Sequence, residues 1–598
     1  MSSRPFIIPQ DFEGFKGYRS DAANSPPDYI CRPSVNCMIN INGDAETRFG
    51  YLDTGWDLGL GENAVRPFYH ETYDITVFIG GGKVQYVDHN TNDTVIDTGS
   101  TVTANTTTRI DEYNGDIYYT NTTDGLKRGV FGKINDSNAN QGDSDVTVDL
   151  DMALRLSSFG KTTGNIILAG DSYAFNAVDT STGKITLNAV TLSKDYDDNT
   201  VVFVEHDISS GREKGSKVTF WQERMMIMGS IDTTNADQPQ NTVFTGKFCV
   251  GHSSATSIED IIDFTYGSGG STRITVGKGG KLTNIIGGKD SMYFLKKKEL
   301  YDVYKGDISK DSADTTSTIG LTIPQLKDEN HGCINEDSAI SIGNNELAYI
   351  TNDKRIMRIK LASQAGVPAY PDEAFDNDIW LDLENMDEDQ PLAMAFHYRA
   401  QRKSIFQIAL DGQWYWMIYD HLIGAWQPPQ LVVPVGGFFE RRGVLYATDC
   451  TNDTVYSIFT AFDDNGIPID CTIATPEFNV DDSMVKRGEM KGIITQGTKM
   501  EIRSYVFNNK GGMRISSPKK VDGSDYTYGK DRTIGAVPIG GSGSGLREQF
   551  ADWKKDFDIF PQECNKIQLR ATCEGDHFSI QRLQLKGELY SSAFQKAL

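Results

Sequence analysis

Long apolar runs, basic charge and cysteine are all scarce in this chain of 598 residues, and each shortage closes off a class of protein. The apolar stretches are of strand length and broken by charge, well short of the roughly 20 apolar residues a membrane helix needs, so no membrane insertion by this chain is expected. Against 82 acidic residues stand only 58 basic ones, a net charge of −24. That balance argues against a reader of nucleic-acid sequence, because neutralising phosphates dominates such affinity. Eight scattered cysteines are too few for a disulfide scaffold and read as reduced, buried thiols. Of the two closer pairs, Cys31 with Cys37 has no histidine or third cysteine beside it and Cys564 with Cys573 has only His577, short of the four ligands of a structural site, so zinc is not expected. The opening residues, MSSRPFIIPQDFEGF, carry neither the apolar core nor the small-residue cleavage site of a signal peptide, so the chain is expected to stay in the cytoplasm where it is made.

Catalytic signatures are missing as well. There is no G-x-S-x-G elbow, and the eight histidines stand alone. The glycine-rich run at 267–281, GSGGSTRITVGKGGK, lacks the P-loop pattern and a following helix. Sialidase-type S-x-D-x-G-x-T-W turns do not occur. The acidic segment Asp372 to Asp389 can offer two carboxylates at glycosidase separation, although acid runs in loops are usually solvated surface. Asp143, Asp145, Asp149 and Asp151 alternate as calcium ligands on a strand would, but without the EF-hand spacing, so solvated charge is the favoured reading. Double glycines at Gly81, Gly279, Gly287 and Gly436 read as turns and bulges. Trp414, Trp416 and Trp426 can stack a sugar, yet serve equally as core. No catalytic, cofactor-binding or metal residue is therefore assigned, and the expectation is a non-enzyme without cofactors.

What the chain has in abundance is one phrase: an apolar strand, a polar turn and a second alternating strand. DSMYFLKKKELYDVY (290–304), NELAYITNDKRIMRI (345–359) and GVLYATDCTNDTVYSI (443–458) are the clearest of seven copies. Polar anchors at the copies, Asp74, Asp116, Glu223, Asp290, Asn345, Gln401 and Arg442, lie 42, 107, 67, 55, 56 and 41 residues apart. The short intervals fit the ~40–50 residues of a propeller blade, and the long one signals an insertion. An isolated hairpin is marginal in water, so such units must bury their faces against one another, and radial stacking does this while leaving only short edges. Alternation such as Ile75, Val77, Ile79 predicts half-buried antiparallel strands. Helical signals are confined to short pieces, 258–264 and 546–555. The fold expected is all-β: a β-propeller of six to eight blades at 65–134 and 216–465, a small β domain inserted at 135–215, an extended N-terminal arm over 1–64, and a C-terminal β-sandwich over 466–598.

The arm holds SPPDYICRPSVNCMININGDAETRFGY, in which Asn36, Arg48, Gly50 and Tyr51 follow a proline-rich run and a strand. This stretch, the successive phrases after residue 282 and the terminal KRGEMKGIITQGTKMEIRSYVF resemble the β-propeller tail proteins of short-tailed bacteriophages, with Phe49 where a proline often precedes the glycine. The resemblance implies a structural virion protein of the tail, either the distal nozzle or the head-to-tail hub. It would be made and assembled in the host cytoplasm and form a ring, commonly a homohexamer, around the DNA ejection channel. Implied partners are further copies of itself, other tail or adaptor proteins and tail fibres, with genomic DNA sliding through a lumen whose carboxylates repel phosphates. The alternative is a carbohydrate-binding or glycan-cleaving propeller, such as a tail-tip receptor-binding protein.

Overall fold

A computed structural model describes residues 4–8, 14–60, 66–136, 139–158, 160–207, 213–221, 224–229, 231–232, 242–247, 271–277, 280–288, 291–304, 325–343, 346–360, 371–372, 375–450, 454–496, 499–507, 513–515, 519–522, 551–557, 563–575 and 579–591. The repeated phrases fold into seven antiparallel sheets, each entered by its innermost strand. The first blade is Arg66–His70, Ile75–Gly80, Lys83–Asp88 and Thr94–Thr101. The innermost strands of the next six are Arg109–Tyr113, Lys217–Trp221, Leu282–Gly287, Ala339–Ile342, Met394–Tyr398 and Val435–Arg441. Each touches the next, and Val435–Arg441 returns to Arg66–His70, so the ring closes as a seven-bladed β-propeller.

The four described polar anchors, Asp74, Asp116, Gln401 and Arg442, fall at the step from a blade's first strand to its second. Asp74, Arg402 and Arg442 turn there with φ of 50°, 52° and 49°, the left-handed conformation a tight hairpin asks for. The anchors Glu223, Asp290 and Asn345 lie outside the described residues. Second strands are buried on both faces, as Ile75–Gly80 and Asp116–Asn121 are throughout, where alternation had suggested half-burial. The reason is radial stacking: a neighbouring blade covers each face, so even the polar positions Thr76, Thr120 and Asn121 are enclosed.

The insertion leaves the second blade after its third strand, Gly125–Lys133, and returns as its fourth, Val201–Asp207. That fourth strand, placed by sequence spacing inside the insertion, therefore belongs to the blade. It pairs on its far edge with Gly164–Leu168, so the inserted strands extend the same sheet to eight. Helix Leu150–Ser158 packs Met152 against Gly132, where a Cβ would come within 2.3 Å of the Met152 sulfur.

The N-terminal segment is paired into other elements rather than laid over them. Strand Gly50–Asp53 is the outermost strand of the seventh blade, hydrogen-bonded to Val455–Ala461. Strands Arg4–Ile8, Gly17–Arg19, Tyr29–Val35, Cys37–Ile39 and Ala45–Thr47 join the C-terminal strands in one 13-stranded sheet system. Local periodicity carries no sign of this, because the pairing partners lie over 400 residues away, as Cys31 with Ala474 does. Phe15, Tyr18, Ile30 and Ile39 share one core with Ile356 and Phe406 of blades five and six and with Ile473 and Ile567 of the C-terminal sheet. Of the two short helices expected, 258–264 lies outside the described residues, and the second is overturned in its described part, where Ala551–Phe557 is a strand. Among the described residues, no helix is long and apolar enough to cross a membrane.

Candidate functional site

Because all seven innermost strands run in the same direction, whatever stands at their starts gathers at one end of the propeller axis. Charge stands there. Arg66 begins the first blade, Arg109 the second and Lys217 the third, while Lys281 and Asn284 enter the fourth and Glu336 and Asp337 precede the fifth. The Asp337 carboxylate accepts Arg66 Nη2 at 2.8 Å, Arg109 Nε at 2.8 Å and Arg109 Nη2 at 2.7 Å. Its backbone oxygen accepts the amide of Ala395 in the sixth blade at 2.9 Å. Arg66 Nη1 donates to the Gly436 oxygen of the seventh, and Arg109 Nη1 to the Ser216 oxygen at 2.8 Å. Lys217 Nζ donates to Asn284 Oδ1 at 2.7 Å and to the Glu336 backbone oxygen at 3.3 Å. One network thus touches all seven blades.

Burial alone would lift the Asp337 pKa, but Arg109 and Arg66 together outweigh it and hold the carboxyl well below the usual carboxylate range. Burial works the other way on Lys217 and pulls its ammonium below the ordinary lysine value, opposed by Asp337 and reinforced by Arg109. A hub of this kind can fix the relative positions of blades. It also bridges the axis of the single propeller.

A second cluster closes the ring from outside. Asn36, with φ of 58°, receives the Leu431 amide on Oδ1 at 2.8 Å, sends Nδ2 to the Asp470 oxygen at 2.9 Å and offers its own carbonyl to the Arg48 amide at 3.0 Å. Arg48, only 2 % exposed, forks onto Asp464 and donates Nη2 to the Leu431 oxygen at 2.9 Å. Gly50 passes so close to the loop before residue 470 that a Cβ would sit 1.8 Å from the Asp463 oxygen. Tyr51 packs on Tyr456 with ring centroids 4.7 Å apart. The seam between blades seven and one is also pinned by Trp56, which lies against Phe78 and Tyr446, and by Arg441 and Arg442, which both bind Asp74. Although burial opposes it, those arginines and Tyr69 bring the Asp74 pKa down to about 2.

The acids singled out in the sequence are spread among separate contacts. Asp376 binds Arg355 at 2.6 Å and the Ile356 amide at 2.9 Å. Asp382 accepts the Tyr18 hydroxyl at 2.7 Å and pairs with Arg32 at 3.0 Å, while Asp378 pairs with Arg19 at 3.0 Å. The Asp382 and Asp378 contacts tie the N-terminal segment to the propeller. In the insertion, Asp145 binds Lys184, Asp149 accepts the Lys133 amide, Asp151 binds Arg155 and Asp143 accepts the Asn140 amide, so the four do not converge. Among the described residues no group of three or more His, Cys, Asp or Glu is placed to hold a metal.

Trp416 and Trp426 are core, their indoles bonded to Gln407 Oε1 at 3.1 Å and the Phe375 oxygen at 2.8 Å, while Trp414 is half-buried. Gly81, with φ of 57°, forms a hairpin turn; Gly279 lies outside the described residues. Cys31, Cys37, Cys333, Cys450, Cys471 and Cys573 are buried free thiols; Cys249 and the Cys564 side chain lie outside what is described. The hub residues carried no local signal, since an arginine at a strand start looks like any surface charge until the ring closes.

No family model matches the chain, and no curated protein matches it in sequence. Among solved structures it is similar to the Dos1 propeller, at 10% identity and a TM-score of 0.34, over 70% of this chain and 95% of that one. It is also similar to a chain in an S. cerevisiae assembly of Dbp5 bound to Nup159, Gle1, IP6 and ADP, at 6% identity and a TM-score of 0.31, over 75% and 99%.

Proposed function

We propose that this chain is a structural component of a bacteriophage tail, a nozzle or head-to-tail hub that assembles as a ring, most simply a homohexamer, around the DNA ejection channel. The observation that carries this reading is the closing latch. Asn36, Arg48, Gly50 and Tyr51, the residues through which the N-terminal stretch resembles that family, meet in one cluster that locks the seventh blade to the C-terminal sheet. A chain built to stay closed under load needs such a clasp. Since the hub bridges the propeller's own axis, the DNA passage in this reading lies between copies, where the net charge of −24 keeps phosphates from clinging.

Electron microscopy of the purified full-length chain, with antibody labelling of virions, tests the proposal. Closed rings with a central lumen, and label on the tail, are the expected result. A protein that stays monomeric at high concentration and is absent from particles overturns it. Binding or hydrolysis on a glycan array without ring formation would point instead to the carbohydrate-active alternative.

A further inference from the structure

One cationic side chain of the hub makes no direct ion pair among the described residues. Asp337 is committed to Arg66 and Arg109, and the Glu336 carboxylate to Lys281 at 3.2 Å and Arg109 at 3.7 Å. Lys217 makes no ion pair among the described residues; its amine faces a carboxamide and a backbone carbonyl. The carboxamide is that of Asn284, fully buried on the innermost strand of the adjoining blade. Its Nδ2 is turned to the Asn335 oxygen at 3.3 Å and the Cys333 sulfur at 3.7 Å. Oδ1 is therefore presented to the amine, and the leaving nitrogen points to the far side. With a C=O bond of about 1.23 Å, an amine nitrogen 2.7 Å from Oδ1 lies roughly 3–4 Å from Cγ, against an attack separation of about 3–3.5 Å.

We propose that Lys217 and Asn284 form an intramolecular isopeptide bond that covalently joins the innermost strands of blades three and four. The neutral amine adds to Asn284 Cγ and makes the Nζ–Cγ bond. A proton passes from Nζ to Nδ2, the Cγ–Nδ2 bond breaks, and one molecule of ammonia leaves. Atoms and electrons balance without oxidant, metal or cofactor. The partial burial of Lys217 lowers its pKa and so raises the share of neutral amine, because taking an amine out of water disfavours its charged form. The site is a covalent modification of the fold and stands whether or not the chain forms a phage ring.

The test is the intact mass of the denatured full-length chain, followed by peptide mapping. The expected mass is lower than the sequence mass by one ammonia, and digestion releases a branched peptide joining residues 217 and 284. K217R and N284A each return the full mass of their own sequence. A wild-type chain at full sequence mass with 217 and 284 on separate peptides overturns the proposal. Ammonia loss that maps elsewhere overturns it equally. Because the wild-type protein gives the decisive reading, a variant that fails to fold does not blunt the test.

Discussion

Asp116 and Asp337 each hold two arginines, and the contrast between them separates local from global architecture. Asp116 sits between Arg128, on the next strand of its own blade, and Arg155, on the helix of the insertion. Asp337 sits between Arg66 and Arg109, which are 271 and 228 residues away and belong to two other blades. The chemistry is the same. The first triad seals an insertion onto one blade, whereas the second spans the axis, so disturbing it reaches every blade at once. Removing one member of a buried ion group costs more than the group contributes net, because the remaining charges stay buried without a partner.

The largest effect is expected at the hub. D337N takes from Arg66 its ion-pair partner and leaves Arg109 only Glu336 at 3.7 Å, and it lowers propeller stability by about 3–5 kcal/mol. Hydrogen exchange should accelerate in all seven innermost strands, and acceleration limited to the fifth blade would break the comparison. Next comes the latch, where R48M removes a charged fork and its carbonyl bonds at a cost of about 2–3 kcal/mol. Exchange protection should fall in Gly50–Asp53 and Val455–Ala461 before it falls elsewhere. A smaller effect is expected at the local triad: R155M leaves Asp116 still bound to Arg128 and costs about 1–2 kcal/mol. Faster exchange confined to the insertion would sharpen the contrast with Asp337.

The smallest effect concerns pH. Burial raises the Asp382 pKa to about 6, despite Tyr18 and Arg32. A carboxyl whose folded value exceeds its unfolded value of roughly 4 contributes stability that is fully present below the unfolded value and is lost as pH rises through the folded one. Urea unfolding should therefore show the chain more stable at pH 5 than at pH 7 by on the order of 1 kcal/mol from this group, and D382N should remove that part of the difference. Asp74 works oppositely: its pKa of about 2 gives stability that is lost only as pH falls below about 4 toward 2.

The seven hairpin phrases were legible because a hairpin is local, with its polar turn and both strands inside one short window. The anchors Asp74, Gln401 and Arg442 stand at equivalent turns for that reason. The insertion was legible as an excess in spacing, though its end was not, since Val201–Asp207 has the composition of an inserted strand and only its pairing with Gly125–Lys133 assigns it to the blade. The hub was not legible at all. Arg66, Arg109, Lys217, Asn284 and Asp337 share no spacing or motif, and meet only because they occupy the starts of strands that the ring brings together.

By itself, then, the sequence determined the repeating unit and the all-β class, because strand periodicity and turn chemistry act over a dozen residues. Tertiary structure alone decided the closure. That the first fifty residues complete the last blade and the C-terminal sheet, and that scattered charges become one axial network, follows from contacts between positions hundreds of residues apart, whose chain-entropy cost only the finished ring and its buried core can offset.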